Sequence, residues 1–259
     1  MEVTHSICIT CRNNINTVEA SLESILSQTN DKFEVIVVDA KSNDGTLQVL
    51  QKYAKKGYIK LIVKRCSRGK GRQIAFENSK GDYIIANIDL DDVFVPKLQA
   101  LIRSYHAQCE DKILAAIQGN LNKGKWLPNI TIGDRNLIKK LGGWRNLQYA
   151  EDWDLWSRAA KKGCYAWTIF PVVKSTNPHL ERQRIMPKLL FRFYKYRELL
   201  RLGRTVFDKK EKRKLNQKLI LAIAKIATFF KASFRDDFNK TFNPYDLKYY
   251  VPFVYSPKP

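Results

Sequence analysis

The first third of the chain alternates between short apolar runs and segments with helical spacing, and this alternation constrains the fold more than any other feature. Apolar runs at 6–10, 33–38, 59–63 and 82–88 predict four strands, and helical segments separate them. Strands that alternate with helices form a parallel sheet covered by helices, and such sheets bind ligands beyond the carboxyl ends of their strands. The sequence therefore predicts an α/β domain with a site at one edge of its sheet.

Polar residues follow these strands, so we expect them to meet at that edge. They are Thr10, Asp39, Arg68, Arg72 and the acidic segment Asp89-Leu90-Asp91-Asp92. Carboxylates spaced one residue apart can bind one Mg²⁺ or Mn²⁺ ion, which commonly also binds the phosphates of a nucleotide. The alternative is a turn, in which Asp side chains bond to their own backbone.

Two common nucleotide-binding motifs are absent from the sequence. No Gly-x-Gly-x-x-Gly follows the first strand, and no Gly-x-x-x-x-Gly-Lys-Ser/Thr occurs. Hydride transfer and ATP hydrolysis by the folds that carry those motifs are therefore disfavoured. The five cysteines are odd in number and scattered, which argues against a disulfide framework or a zinc site.

Five segments, taken in order, resemble the family 2 glycosyltransferases, which have the GT-A fold, over about the first two-thirds of the chain. The segments are Ser6 to Thr10, Phe33 to Asp39 with Ser42 to Thr46, Gly69 to Ala75, Lys80 to Asp92, and Gly142-Gly143-Trp144 followed by Glu151 to Trp156. The resemblance implies an inverting transfer of a sugar from a nucleotide-diphosphate donor, with Mg²⁺ or Mn²⁺ as cofactor.

On the donor side, the resemblance implies a role for each matching residue. Thr10 and Asp39 would contact the nucleotide base, Asp89 the ribose, and Asp91, in the DXD motif, the metal. Arg68 and Arg72 would add positive charge beside the departing diphosphate; the alternative for both is a solvated loop in a basic protein. One departure from the family pattern is Ala40, which replaces a second Asp after the base-binding one.

On the acceptor side, the resemblance makes Asp152 the general base, at the start of a helix whose positive end stabilises carboxylates. The alternative is that Glu151, Asp152 and Asp154 only cap that helix. Trp144 and Trp153 are candidates for packing against the acceptor, although tryptophan is more often a core residue. His179 lies where the fold places a late histidine metal ligand. The Gln-x-x-Arg-Trp motif of processive synthases is absent, which favours single addition.

The last third of the chain carries much of the net charge of +21. Residues 180–240 contain 18 Lys/Arg against 6 Asp/Glu, and two amphipathic helices are predicted, from Met186 to Phe207 and from Leu215 to Phe230. Basic amphipathic helices suit an anionic membrane surface, so we expect residues 182–235 to associate with one. The alternatives are packing on the catalytic domain and, with no recognition motif to support it, nucleic-acid binding.

The sequence predicts two parts, a GT-A catalytic domain over 1–180 and a basic helical extension with an extended tail over 181–259. With neither a signal peptide nor a long apolar run, we expect a cytoplasmic protein, peripheral on the cytoplasmic face of a membrane. The expected acceptor group is a hydroxyl or a phosphate, on a glycan, a lipid-linked sugar or a polyprenyl phosphate. The alternative functions are a non-catalytic protein that binds nucleotide-sugars or nucleic acid, and a nucleotidyltransferase with a related fold.

Overall fold

The computed structural model describes residues 2–120, 125–176, 188–202, 223–224 and 245–253. Strands and helices alternate through most of this length, as the sequence predicts. In chain order they are β1 (His5–Cys11), α1 (Val18–Leu26), β2 (Phe33–Asp39), α2 (Thr46–Lys55), β3 (Lys60–Val63), α3 (Arg68–Glu77), β4 (Tyr83–Asp89), β5 (Asp92–Phe94), α4 (Leu98–Gln108), β6 (Ile113–Asn120), β7 (Lys125–Asp134), α5 (Arg135–Lys140), α6 (Glu151–Lys161), β8 (Tyr165–Ile169), β9 (Val173–Thr176), α7 (Lys188–Arg201) and a 3-10 helix (Leu247–Tyr249).

Seven of the strands form one sheet in the order β3-β2-β1-β4-β7-β6-β8. The four amino-terminal strands β1 to β4 are mutually parallel, β7 runs antiparallel to both β4 and β6, and β8 is parallel to β6. The predicted α/β architecture with a mostly parallel sheet is confirmed. Strands β5 and β9 pair separately as a small antiparallel sheet.

The central strands are buried on both faces, which explains their continuous apolar sequences. Ile7 and Ile9 of β1 pack into the core on one face, and Cys8 packs into the core on the other, with Ile36 of β2. Each fully buried aliphatic side chain stabilises the fold by about 1.5–3 kcal/mol. With both faces covered, polar groups are accommodated at the ends of the strands.

The sequence predicts a loop at Arg68-Gly69-Lys70-Gly71 and a short helix from Arg72 to Ser79, but helix α3 already begins at Arg68, so the predicted loop is helical. The helix starts at Arg68, where the Ser67 hydroxyl accepts a hydrogen bond from the Lys70 amide at 3.1 Å. Gly69 and Gly71 are poor helix formers, which accounts for the wrong prediction. At both positions the backbone passes close to other segments, and an added Cβ at Gly71 would lie 3.0 Å from the Thr10 methyl group.

The described parts of the extension pack on the rest of the chain. Helix α7 overlaps the first predicted amphipathic helix, and its end contacts the segment before α6, where Leu202, Leu147 and Ala150 form a buried cluster. Residues 245–253 lie along β8, where Trp167 donates from Nε1 to the Asp246 carbonyl at 2.9 Å. Within the described residues, no helix is long and apolar enough to cross a membrane. Most of the second predicted helix lies outside those residues.

Candidate functional site

The ends of β1 and β2 place Thr10 and Asp39 next to each other, as the sequence predicts. Register pairing sets Thr10 opposite Val38 and Cys11 opposite Asp39. The fully buried Asp39 carboxylate accepts hydrogen bonds from the Ser42 amide at 2.8 Å and from the Ser42 hydroxyl at 2.5 Å. These bonds hold Asp39 in one orientation at the strand end.

Strand β4 brings the acidic segment to the same edge. Thr10 pairs in register with Asp89, and its hydroxyl donates to Asp89 Oδ1 at 3.3 Å. Asp89 is partly exposed, Leu90 is buried, and Asp91 is exposed. Asp44, in contrast, accepts from the Thr46 amide at 3.0 Å and stabilises the start of α2, so it is a helix-capping residue.

The donor atoms at the end of β4 fit a hard divalent cation. Asp89 and Asp91 both reach solvent and offer carboxylate oxygens, which Mg²⁺ and Mn²⁺ prefer, and a nucleotide diphosphate would complete the coordination. Across the described part of the chain, the protein alone provides no cluster of three His, Cys, Asp or Glu side chains. A metal ion here would therefore depend on oxygens from the bound nucleotide or water.

Strand β9 returns the chain to the acidic segment, since Thr176 pairs with Asp92. His179 follows three positions later, outside the residues that the structure describes. Its predicted role as a metal ligand stays a prediction.

The buried guanidinium of Arg72 joins the donor edge to the start of α6. Arg72 Nη2 lies 3.7 Å from Asp89 Oδ1 and 3.2 Å from Glu151 Oε1, and Nη1 donates to the Asn87 side chain. Arg72 and Glu151 are only 3% and 2% exposed. The solvated-loop alternative is therefore wrong for Arg72, whose charge is shared among three neighbours.

Arg68 lies one helical turn earlier and is more accessible than Arg72. Its Nε is 3.9 Å from Glu151 Oε1, and about half of its side-chain surface is exposed. The nearby carboxylates of Asp89 and then Glu151 raise the pKa of Arg68 above its usual value. Arg68 is therefore a charged group at the mouth of the site, available to an anionic ligand.

Asp152 occupies the first turn of α6, as predicted, in an environment that changes its acidity. Its Oδ1 accepts a hydrogen bond from the Trp153 amide at 2.8 Å. Burial, followed by the negative charge of Glu151, raises the pKa of Asp152 to about 6, while Arg72 and Arg68 oppose the shift. A carboxylate with a pKa near neutrality accepts a proton more readily than an ordinary aspartate does.

The neighbouring acids have separate structural roles, so the capping alternative does not describe the group as a whole. Glu151 pairs with Arg72, whereas the fully buried Asp154 accepts from Arg158 Nη2 at 2.7 Å and from Arg145 Nη1 at 3.3 Å. Arg158 also donates to the carbonyls of Leu141 and Gly143. Asp154 and Arg158 thus hold the glycine segment that precedes Trp144.

The segment 145–150, which we call the connecting loop, is bonded to the start of α3. The Gly69 amide donates to the Leu147 carbonyl at 2.9 Å, and the Ser67 hydroxyl donates to Asn146 Oδ1 at 2.5 Å. An added Cβ at Gly69 would overlap the Arg145 carbonyl oxygen and would lie 2.9 Å from the Leu147 carbonyl oxygen. The close approach explains a glycine inside a helix at this position.

The two tryptophans proposed for acceptor contact differ in their surroundings. Trp144 is buried, its ring packs edge-on against Phe76, and its backbone amide donates to Gln73 Oε1 at 2.7 Å. Trp153 is partly exposed and packs edge-on against Tyr245. The structure therefore makes Trp144 a core residue and leaves Trp153 as the candidate for acceptor contact.

Several residues that shape the site were not identified from the sequence. They are Ser42, which orients Asp39; Asn87 and Glu151, which hold Arg72; and Asn146, which meets α3. Asn87 has a positive φ of 62°, a backbone conformation that Asn adopts more readily than most residues, so its residue type is a local signal. Ser42 bonds to Asp39 only three positions earlier, whereas Glu151 and Asn146 are defined by contacts between distant segments.

Comparison with known proteins identifies relatives of the part of the chain that carries the site. Residues 6–154 match the sequence model described as glycosyl transferase family 2. A poly(ribitol-phosphate) beta-glucosyltransferase of Bacillus spizizenii is 31% identical over 153 residues, which cover 53% of this chain and 24% of the relative. The chain thus spans about a quarter of that relative's length. The Escherichia coli protein WfaP, a UDP-Glc:alpha-D-GlcNAc-diphosphoundecaprenol beta-1,3-glucosyltransferase, is 28% identical over 62% of this chain and 72% of its own.

Among solved structures, a mannosyltransferase from Pyrobaculum calidifontis, in complex with GDP-Man and Mn²⁺, has the same fold. Its TM-score is 0.61 at 17% sequence identity, and the match covers 89% of this chain and 71% of the other. The predicted GT-A fold is confirmed by this likeness. Because the family match includes the strand-end residues, the acidic segment and the start of α6, the chain belongs to glycosyl transferase family 2.

Proposed function

We propose that the protein is a metal-dependent, inverting glycosyltransferase that moves a sugar from a nucleotide-diphosphate donor to an acceptor hydroxyl. The observation that carries the proposal is the position of Arg72 between Asp89 and Glu151, at 3.7 and 3.2 Å. Through this one guanidinium, the strand end that would hold the donor lies beside the helix start that carries Asp152. A donor site and a candidate base then share one edge of the sheet.

On the donor side, Asp39 accepts a hydrogen bond from the nucleotide base, with Thr10 beside it, and Asp89 accepts from a ribose hydroxyl. Asp91, with Asp89 next to it, is the proposed ligand of Mg²⁺ or Mn²⁺. The cation supplies Lewis-acid stabilisation of the leaving diphosphate when it is bound. Arg68 adds charge-assisted hydrogen bonds to the phosphates, since its guanidinium is charged and accessible.

On the acceptor side, Asp152 takes the proton of the acceptor hydroxyl as its oxygen attacks the anomeric carbon. The new carbon–oxygen bond forms on the face opposite the diphosphate, while the bond from that carbon to the diphosphate oxygen breaks. The leaving group departs as a nucleoside diphosphate, and Asp152 is left protonated. The raised pKa of Asp152, about 6, suits a group that holds the proton briefly near neutral pH.

Replacement of Asp152 by Asn tests this assignment. The amide keeps the size of the side chain but has no basic oxygen, so we expect the rate of transfer to fall by a factor of about 10²–10⁴. Binding of nucleotide should stay within about twofold, because Thr10 and Asp39 are untouched. Release of nucleoside diphosphate from a panel of nucleotide-sugars, with Mg²⁺ or Mn²⁺, measures the rate, and isothermal titration measures nucleotide binding.

Asp82 is a matched control, because it is an exposed carboxylate just before β4, at the end of that strand opposite to Asp89. Asp82→Asn should transfer sugar at the parental rate. If Asp152→Asn turns over as fast as the parent, the general-base assignment is wrong. Release of pyrophosphate instead of nucleoside diphosphate would identify a nucleotidyltransferase, and nucleotide binding without turnover of any donor would favour a binding protein.

The proposed acceptor is a lipid-linked or glycan acceptor at the cytoplasmic face of a membrane, with the basic extension attached to anionic lipid. Support comes from the 18 Lys/Arg among residues 180–240 and from the diphosphoundecaprenol acceptor named for WfaP. Each basic residue near an anionic lipid surface contributes about 1 kcal/mol.

Vesicle flotation of the full chain tests membrane attachment. Substitution of the basic residues in the run 209–214 by Gln should abolish co-flotation with vesicles of anionic phosphatidylglycerol, and neither form should float with neutral phosphatidylcholine. Equal flotation of the parent and the substituted chain would contradict attachment through these charges. The catalytic residues are unchanged in this variant, so transfer to a soluble acceptor serves as a check of folding.

A further inference from the structure

Helix α7, in the carboxy-terminal extension, ends on the connecting loop, which leads directly into Asp152. Arg201 Nη1 donates to the backbone carbonyl of Asn146 at 3.0 Å, and the same nitrogen donates to Glu198 Oε2 at 2.7 Å. Glu198 is fully buried, and Arg201 is 5% exposed. A buried carboxylate thus fixes the arginine that holds the loop.

Apolar contacts continue the connection toward α6. Leu202, just beyond the end of α7, packs against Leu147 and Ala150, and all three side chains are buried. Ala150 is the residue before α6 and has a left-handed backbone with φ of 60°. A non-glycine residue in this conformation is strained by about 1 kcal/mol or more and persists only where its surroundings fix it.

The connecting loop is therefore held from two sides. On one side, Asn146 and Leu147 bond to Ser67 and Gly69 of the α3 start; on the other, Asn146 and Leu147 contact Arg201 and Leu202. Asn146 accepts a hydrogen bond from the Ser67 hydroxyl on its side-chain oxygen and one from Arg201 Nη1 on its backbone carbonyl, and so connects α3 with α7. If α7 were detached, the connecting loop would be held only by its contacts with the start of α3.

We propose that Arg201, oriented by Glu198, is a positioning residue for Asp152: it fixes the connecting loop and thereby the first turn of α6. The proposal rests on the general-base role proposed above for Asp152. The helix α7 would then be part of the acceptor side of the site in addition to any role in membrane attachment. Arg201 does not itself touch the reacting atoms.

The test compares Arg201→Gln with Arg135→Gln. Arg135 is a matched control because it also makes structural bonds, to Gly81 O at 2.7 Å and to Ser79 Oγ at 2.9 Å, but at the opposite end of the sheet. Both variants should melt at lower temperature than the parent. Measured below both melting temperatures, Arg201→Gln should lower kcat about 10-fold or more, since small displacements of a catalytic group are costly, whereas Arg135→Gln should retain the parental kcat.

Three readouts separate positioning from general stability. Hydrogen exchange in the peptide 145–150 should become faster in Arg201→Gln and stay unchanged in Arg135→Gln. Loosening the start of α6 admits water to Asp152 and reduces the effect of burial that raises its pKa. The rise of kcat/KM with pH should therefore occur at lower pH than in the parent. The Kd for UDP or GDP, whichever the parent binds, should stay within about twofold, because Thr10 and Asp39 lie on strands that the loop does not hold.

Glu198→Gln keeps the shape of the side chain and weakens its hold on Arg201, so it should show the same changes to a smaller degree. It provides the test if Arg201→Gln does not fold. The proposal is overturned if loop exchange accelerates but kcat and the pH profile match those of the control, or if loop exchange does not change. Asp152→Asn, assayed in parallel, reports separately on the general base: normal turnover there refutes the proposed function and not the contact of α7 with the loop.

Discussion

Thr10 stands on β1, and Asp39 and Asp89 stand on the two strands that pair with β1 residue by residue, whereas Asp152 follows a loop that is held by two helices from distant parts of the chain. On the donor side, register alone sets Thr10 opposite Asp89. On the acceptor side, Asn146 meets Ser67 and Arg201, which are separated from it by 79 and 55 positions in sequence. The donor side is thus built by backbone pairing between neighbouring strands of the sheet, and the acceptor side by contacts of side chains and helix ends with a loop.

The largest expected effect tests the donor side. Asp91→Asn removes an exposed carboxylate at the end of β4 and should lower metal-dependent transfer by about 100-fold or more, because a metal at a leaving diphosphate contributes several kcal/mol. The measurement is nucleoside diphosphate release over a range of Mg²⁺ and Mn²⁺ concentrations. Asp44→Asn is the control, since Asp44 bonds to Thr46 at the start of α2 and to the Ile15 amide but lies outside the acidic segment, and it should retain activity within about twofold. Equal losses in both variants would contradict the metal role of Asp91.

Gly69→Ala tests the junction between the two sides. Helix propensity alone predicts that alanine stabilises a helix by about 1 kcal/mol over glycine. Instead, because the new methyl group would overlap the carbonyl oxygens of Arg145 and Leu147, we expect a loss of about 3 kcal/mol in the free energy of unfolding. Denaturant unfolding provides the measurement.

Gly57→Ala is the control for Gly69→Ala. Gly57 has a φ of +76°, and an added Cβ there would meet no atom within 4 Å. The cost should be only that of backbone strain, about 1 kcal/mol. If Gly69→Ala is no more destabilising than Gly57→Ala, the connecting loop moves aside easily, and the contrast between a side built by strand pairing and a side held by contacts with a loop loses its basis.

A smaller effect is expected at the amino ends of the strands, far from both sides of the site. His5 stacks on Phe33 and Tyr83, and its Nε2 lies 3.0 Å from His106 Nε2. Burial, followed by the charge of His106, lowers the pKa of His5 to about 4. Since the unfolded chain binds the proton more tightly, stability should be highest above pH 6.5 and should fall by about 1 kcal/mol, after solvent screening, as the pH drops toward 4.

Denaturant midpoints between pH 7 and pH 4 measure this effect. The ring environment also includes Asp82, which raises the pKa of His5, and Lys32, which lowers it, so ionic strength is held constant. His5→Phe keeps an aromatic ring between Phe33 and Tyr83 and cannot be protonated, so its stability should fall less over the same range. Parallel curves for the parent and His5→Phe would exclude His5 as the source of the pH dependence.

The smallest expected effect tests the acceptor side through its pH profile. Transfer by the parent should rise with pH through about 6, as Asp152 loses its proton. Glu151→Gln removes the negative charge that raises this pKa, so the acid limb should move to lower pH, by about one unit or less because burial remains the main cause. Asp82→Asn should leave the limb in place. An unchanged limb in Glu151→Gln would show that another group controls it.

The donor side could be predicted from the sequence because strand ends are visible as the points where apolar runs stop. Thr10, Asp39 and Asp89 all follow directly from that rule and from the parallel order of the strands. The predicted start of α3 was wrong for a physical reason. Glycine at positions 69 and 71 indicates a loop in the sequence, whereas in the structure it lets the helix approach the connecting loop and β1 closely.

The pairing of Arg72 with Glu151 and the contact of Arg201 with Asn146 could not be predicted. Both join residues far apart in the chain, and neither has a motif of its own. The basic residues of α7 are evident from the sequence, whereas the role of Glu198 is not: it is buried and pairs with two arginines of the helix, Arg197 and Arg201. A charge pattern reports what a helix can present to a partner, but not which of its residues are used within the fold.

The close contact of Gly69 with the carbonyls of Arg145 and Leu147 has a consequence for building chimeras from members of this family. A donor half and an acceptor half from two different enzymes fit only if one brings a residue without a side chain at this position and the other a loop of matching path. Exchange of donor specificity is therefore better attempted by substitutions at Ser42 and its neighbours, in the loop after β2, than by joining halves. If a larger segment is exchanged, the boundary should lie after α7, so that the connecting loop, α3 and α7 all come from the same enzyme.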